Sequence, residues 1–151
     1  MMEIVIDDGV VKSLSRCSVL LVDDDKFMHE MLTLFLQNTE YSLTSASSAK
    51  NAMRMILSNP PDIVITDAMM PGESGFSLIE KMKTYEISVD IPVILWTILE
   101  QADGSVMDAT GKADILMHKP FYRGNILENL ERARALIVTR VSEKEFTFSI
   151  D

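Results

Sequence analysis

Three consecutive carboxylates, Asp23, Asp24 and Asp25, close the apolar run VLLV at 19–22, and a fourth, Asp67, closes the run DIVIT at 62–66. Burying one unpaired carboxylate is already costly, and neighbours of like charge drive each other toward protonation. A divalent cation removes the conflict. Hard oxygen ligands suit Mg²⁺, with Mn²⁺ as the other metal such a set accepts, and Mg²⁺ keeps waters free for phosphate oxygens. Two further polar residues close apolar runs, Thr97 and Lys119. A cation, an ammonium and a hydroxyl together describe a seat for a phosphoryl group, and a carboxylate at its centre can be the nucleophile. Each residue taken singly has a plainer role: Asp25 reads equally well as a helix cap, and a lone Thr or Lys-Pro after a strand carries no information. Their coincidence at successive strand ends points to chemistry.

Those ends have to be positioned by a fold. The chain has 151 residues, 47% hydrophobic and 25% charged, enough for one domain with a substantial core. A net charge of −9 and a pI near 4.7 disfavour nonspecific attraction to nucleic acid or to anionic lipid, so neither is expected as a direct partner. The same balance suits an acidic site that takes a cation. Cys17 is the only cysteine, which excludes an intramolecular disulfide and suggests a reducing compartment. The start, MMEIVIDDGV, carries acids where a signal peptide needs basic residues, and no apolar run approaches the ~20 residues of a membrane span. A cytoplasmic protein is expected.

Short buried-strand runs alternate with helix-period segments. Strands are predicted at 17–22, 41–46, 62–66, 91–97 and 113–118, and helices at 26–37, 48–58, 75–85 and 123–139. Asp25 and Ser74 are candidate N-caps, Pro60-Pro61 stops the second helix, and the first helix is expected to turn Phe27, Met31, Leu34 and Phe35 inward. The segment 100–110 is a poor helix with a glycine inside it and should be the least stable element. Outside the core lie an N-terminal extension, 1–15, and a C-terminal tail, 140–151; in the tail, FTFSI alternates like a short strand and reads equally as a frayed terminus. Strict alternation of strand and helix implies right-handed crossovers and a doubly wound parallel sheet covered on both faces, with ligands beyond the strands' carboxyl ends.

The stretches VLLVDDD, PDIVITDAMMPGESG, IPVILWT and HKPF, in this order, resemble the response-regulator receiver domain of two-component signalling, the CheY-like family. The resemblance covers about residues 16–138, and the receiver domain is expected over 16–139. Thr97 follows Asp67 by thirty residues and Lys119 follows Thr97 by twenty-two, intervals that agree with it. It implies an α/β, flavodoxin-like three-layer sandwich whose five-stranded parallel sheet has the order 2-1-3-4-5. By position, Asp67 matches the phospho-accepting aspartate. Asp23 and Asp24 match the acidic pair that holds Mg²⁺ with Asp67 and the Met69 backbone carbonyl. Thr97 matches the switch hydroxyl, Lys119 the phosphate-binding lysine, and Pro71, Gly72 and Gly75 the turn after the phosphorylation site. The partners implied are a histidine kinase or phosphotransfer protein upstream and an effector protein downstream, with room for a homodimer. The role implied is that of a phospho-acceptor rather than a turning-over enzyme.

Two positions depart from the family pattern. Ile98 stands where a small residue is usual, and Leu116 stands where an aromatic usually swings between two positions. They favour a switch carried by 100–110, and they motivate a rival reading as a constitutive interaction module. A haloacid-dehalogenase-type phosphatase shares Asp23-x-Asp25, but has Thr or Val where this chain has Phe27. His29 and His118 read as solvent-facing or structural, and the methionines as core. Met69, Ile98 and Leu99 are apolar and cannot hydrogen-bond a hydrolytic water. A slowly loaded, long-lived phosphoryl group is therefore expected. Ile98→Ala should speed both loading and loss, followed by stopped reactions with a small phosphodonor; equal rates would refute the steric argument.

Overall fold

The computed structural model describes residues 3–6, 10–13, 16–70, 72–97, 113–119 and 122–150, with side chains described within 16–143. Five short apolar runs form one parallel sheet: β3 (Cys17–Val22), β4 (Tyr41–Ala46), β5 (Ile63–Asp67), β6 (Val93–Thr97) and β7 (Ile115–His118). Their spatial order is β4-β3-β5-β6-β7, which is 2-1-3-4-5 counted within the sheet, as expected. Every residue of β5 and β6 is buried, so these central strands need cover on both faces.

Four helices among the described residues supply that cover: α1 (Lys26–Phe35), α2 (Ala49–Ser58), α3 (Gly75–Thr84) and α4 (Arg123–Ile150). Met28 and Leu32 of α1 pack with Ile126, Leu130 and Ala133 of α4 on Val19, Leu21, Ile65 and Trp96. Ala52 and Ile56 of α2 pack with Leu78 and Met82 of α3 on Leu20, Val64 and Leu95. Each fully buried aliphatic side chain contributes about 1.5–3 kcal/mol against exposure, so the two apolar layers dominate stability. Asp25, Ser48 and Ser74 each accept a backbone N–H from the first turn they cap, a contribution of about 1 kcal/mol apiece.

Two expectations need correction, and one element went unread. Phe27 and Leu34 do not face inward: they are 65% and 64% exposed, whereas Met28 and Leu32 are buried and Met31 and Phe35 partly so. Two apolar stripes one residue apart run along this helix, and the cap at Asp25 sets the start that turns the 28–32 stripe to the sheet. FTFSI is not a strand. Helix α4 runs through it to Ile150 and crosses residue 140 without a break. No proline follows Gly124 within the helix, and extending an existing helix is far easier than starting a new element. The N-terminal extension holds a hairpin the sequence reading left out, β1 (Glu3–Ile6) paired antiparallel with β2 (Val10–Ser13). Asp7, Asp8 and Gly9 stand between them in the sequence, and Asp-Gly is a turn dipeptide. The expectations for Ile98, Leu99 and 100–110 fall outside the described residues, as does Pro71.

The end of the sheet away from the acids is tied by side chains. Asp62 accepts both the backbone N–H and the hydroxyl of Ser18, at 2.8 and 3.1 Å. Arg134 donates to Glu40 at 2.9 Å and lies over the Tyr41 ring. Arg140 bonds the Asp90 carbonyl at 2.7 Å and the Asp114 carboxylate. Cys17 is fully buried at this end, and its burial, helped by Asp62, pushes the thiol up from 9.0 to about 12. A thiol raised in this way stabilises the fold fully below pH 9, and that contribution is lost as pH climbs toward 12. Native protein at pH 8 should therefore resist alkylation, with Cys17 labelling tracking the unfolded fraction through a urea titration. Rapid labelling of the native state would contradict the burial.

Candidate functional site

Parallel strands deliver their carboxyl ends to one edge, and that edge collects the polar residues. Asp23 follows β3, Asp67 ends β5, Thr97 ends β6, and Lys119 follows β7. Asp23 continues the phase of Val19 and Leu21, and Asp67 that of Ile63 and Ile65, so both acids point toward the α1/α4 side. Carboxylate oxygens of Asp23, Asp24 and Asp67 all lie within 4.8 Å of one another. Asp25 is not in the group; its carboxylate accepts the Phe27 N–H at 2.9 Å and caps α1. Three consecutive acids thus divide into two that converge and one that caps.

One cation already lies between the buried acids. Lys119 Nζ is 3.2 Å from Asp23 Oδ2 and 3.5 Å from Asp67 Oδ2. Its position is set by the sheet, because the Lys119 N–H donates to the Thr97 carbonyl at 2.8 Å. Asp67 Oδ1 accepts the Met69 N–H at 3.2 Å. Burial pushes the Asp67 carboxyl above the usual carboxylate value and the Asp23 charge adds to the rise, while the Met69 N–H and the Lys119 ammonium pull it down. A poorly solvated carboxylate beside an ammonium is a competent oxygen nucleophile. Thr97 is almost fully buried and in phase with Val93 and Leu95, on the α2/α3 side. The Met69 and Leu116 side chains are both exposed.

Sequence reasoning missed one contributor, Trp96, and left His29 between a solvent-facing and a structural role. The indole N–H of Trp96 donates to Asp23 Oδ2 at 3.0 Å, with Trp96 itself fully buried. A tryptophan inside a buried strand must find an acceptor, which was the available signal. The half-buried His29 bonds the Asp23 carbonyl through Nε2 at 2.6 Å, a structural contact that holds α1 to the turn. Gly75, already noted in the turn after Asp67, has a steric reason: a Cβ there would lie 2.1 Å from the Asp67 carbonyl oxygen. Gly72 adopts the left-handed φ of 85° that glycine tolerates best.

Comparison with known proteins agrees with this geometry. The family model of the response regulator receiver domain matches residues 19–131. The chain belongs to the response regulator receiver domain family. It is 31% identical over 114 residues to the phosphate regulon transcriptional regulatory protein PhoB of Pseudomonas aeruginosa, covering 76% of this chain and 50% of that protein. The receiver domain thus spans about half the length of the curated relatives it matches. A solved signal receiver domain of a signal transduction histidine kinase from Syntrophus aciditrophicus is 28% identical with a TM-score of 0.70, over 78% of this chain and 89% of that one. The chemotaxis protein CheY4 of Vibrio cholerae, 24% identical with a TM-score of 0.72 over 78% of this chain and 98% of its own, shares the fold. No helix among the described residues is long and apolar enough to cross a membrane.

In this receiver domain the first turn of α3 packs directly on the backbone that carries Asp67. Gly75→Ala should therefore force the end of β5 and α3 apart and lower unfolding free energy by about 2 kcal/mol or more in chemical denaturation. A stability equal to wild type would show that the contact is relieved at no cost.

Proposed function

We propose that Asp67 accepts a phosphoryl group from a histidine kinase or phosphotransfer protein, and that the altered surface is read by an effector protein. One observation carries this reading: three carboxylates converge within 4.8 Å of one another at the carboxyl edge of the sheet, and among the described residues one ammonium, Lys119, lies between two of them, Asp23 and Asp67. Three acids against one base leave an excess of negative charge that a divalent cation offsets, and an all-oxygen donor set fits Mg²⁺ or Mn²⁺. Asp23, Asp24, Asp67 and the Met69 backbone carbonyl would hold it. When bound, it supplies charge neutralisation for the phosphoryl oxygens.

In the proposed transfer, an Asp67 carboxylate oxygen bonds to phosphorus as the bond from phosphorus to the donor imidazole nitrogen breaks. The imidazole leaves with the electron pair. Lys119, now between Asp23 and Asp67, forms a charge-assisted bond to the new phosphoryl oxygens, and Thr97 supplies the switch hydroxyl. Burial of Asp67 limits the water that can reach the acyl phosphate. The chain acts as a phospho-acceptor in the cytoplasm and does not turn over a substrate pool.

Incubation with a small phosphodonor such as acetyl phosphate and Mg²⁺ should add one phosphoryl group, read by intact mass, and Asp67→Asn should abolish the addition. Equal labelling of that variant, or labelling that persists after chelation of all divalent metal, would overturn the assignment.

A further inference from the structure

Asp23 has no solvent exposure, so its carboxylate depends on protein donors. Oδ1 accepts the Asp25 backbone N–H at 2.8 Å. Oδ2 accepts two donors, Trp96 Nε1–H at 3.0 Å and the Lys119 ammonium at 3.2 Å. Trp96 meets both members of that ion pair: its edge bonds Asp23, and Lys119 Nζ stands 5.2 Å from the centre of its ring. It also sits directly opposite Asp67 on β5 and Met117 on β7 in the sheet register. The one rigid aromatic of β6 is therefore wedged beneath the acid, the base and the strand that ends in the proposed acceptor.

We propose that Trp96 is a positioning residue for the phosphoryl site, its indole N–H fixing the Asp23 carboxylate so that Lys119 stays shared between Asp23 and Asp67. The inference rests on the cation-and-phosphoryl reading above. Oδ2 with two donors has no lone pair left over, so its orientation is set before any cation arrives. Without the indole donor, Lys119 is, among the described residues, the one remaining side-chain partner of Oδ2. Asp23 then turns toward the ammonium and draws Lys119 from Asp67, and the acids have to be reordered each time a cation binds. The ring face that Lys119 occupies is a separate contact, weaker than a hydrogen bond to a charged group.

The chain's only tryptophan makes the test specific. Incorporation of benzothienylalanine in a tryptophan auxotroph keeps the bicyclic ring and replaces the N–H by sulfur. Trp96→Phe removes the donor by a second route that does not depend on the isostere folding. In wild type, the single indole N–H resonance should be protected from solvent exchange and should shift as Mg²⁺ is titrated. Both altered proteins should bind Mg²⁺ about tenfold more weakly by calorimetry, the loss expected for a hydrogen bond to a charged group. Unchanged affinity in both would overturn the proposal. Tighter binding would overturn it too, because Trp96 would then be competing with the cation. So would weakening in Trp96→Phe alone, which would assign the effect to ring shape. Failure of wild type itself to bind Mg²⁺ would instead sink the cation reading, an outcome separate from the others.

Discussion

Asp23 is a carboxylate sealed from water at the end of a strand, and the receiver domain is arranged around keeping it supplied with partners. Those partners come from three places: the turn into α1, the interior of β6 and the residue after β7. A sealed acid left with a missing donor is costly, on the order of 1–3 kcal/mol for the orphaned group and more where charge is involved. Register between β3, β5, β6 and β7 is therefore constrained from the site as well as from the core. A slip of one residue in β6 would turn Trp96 from the α1/α4 face to the other and leave Oδ2 short of a donor.

The two apolar layers and the polar edge divide the work. Buried, mostly aliphatic residues on both faces of β5 and β6 make the central strands rigid. The polar groups lie at the last strand residue or one beyond it, where the pleat ends and the chain turns. Helix α3 starts almost in contact with the Asp67 carbonyl, which only a residue without a side chain allows. That closeness constrains the height of the Asp67 carboxylate relative to Lys119. Precision at this edge comes from backbone packing and sheet register, and only the final orientation comes from side-chain bonds.

Much of this was legible in the residues alone, and for a physical reason. Buried parallel strands are short apolar runs, so their polar terminal residues stand out, and Asp23, Asp67, Thr97 and Lys119 could be assigned to one edge from alternation alone. The caps at Asp25 and Ser74 were legible because capping is local chemistry. The strand order was not; it came with the family resemblance. Trp96 was missed because its acceptor lies on another strand, a tertiary fact with no local signature. The inward face of α1 was misjudged because Phe27 and Leu34 mark a second apolar stripe beside Met28 and Leu32, and apolar spacing cannot rank two such stripes. FTFSI alternates over only five residues, a pattern too short to outweigh continuation of a helix already three turns deep against the sheet.

Three of the four arginines of α4 tie that helix to the rest of the domain and give it a mechanical character. Arg123 bonds the Phe35 carbonyl at 3.0 Å, Arg134 meets Glu40 and Tyr41, and Arg140 grips Asp90 and Asp114. Sliding the helix along its axis would break all three holds, while rocking it about Arg140 would spare the last. From that fulcrum the helix continues ten residues to Ile150, roughly 15 Å at 1.5 Å per residue. A rocking angle of about 4° at the fulcrum sweeps the far end through about 1 Å, and a helix without a break loses little of that in bending. A small tilt at that hold, at the end of the sheet opposite the acids, would thus become a displacement at Ile150.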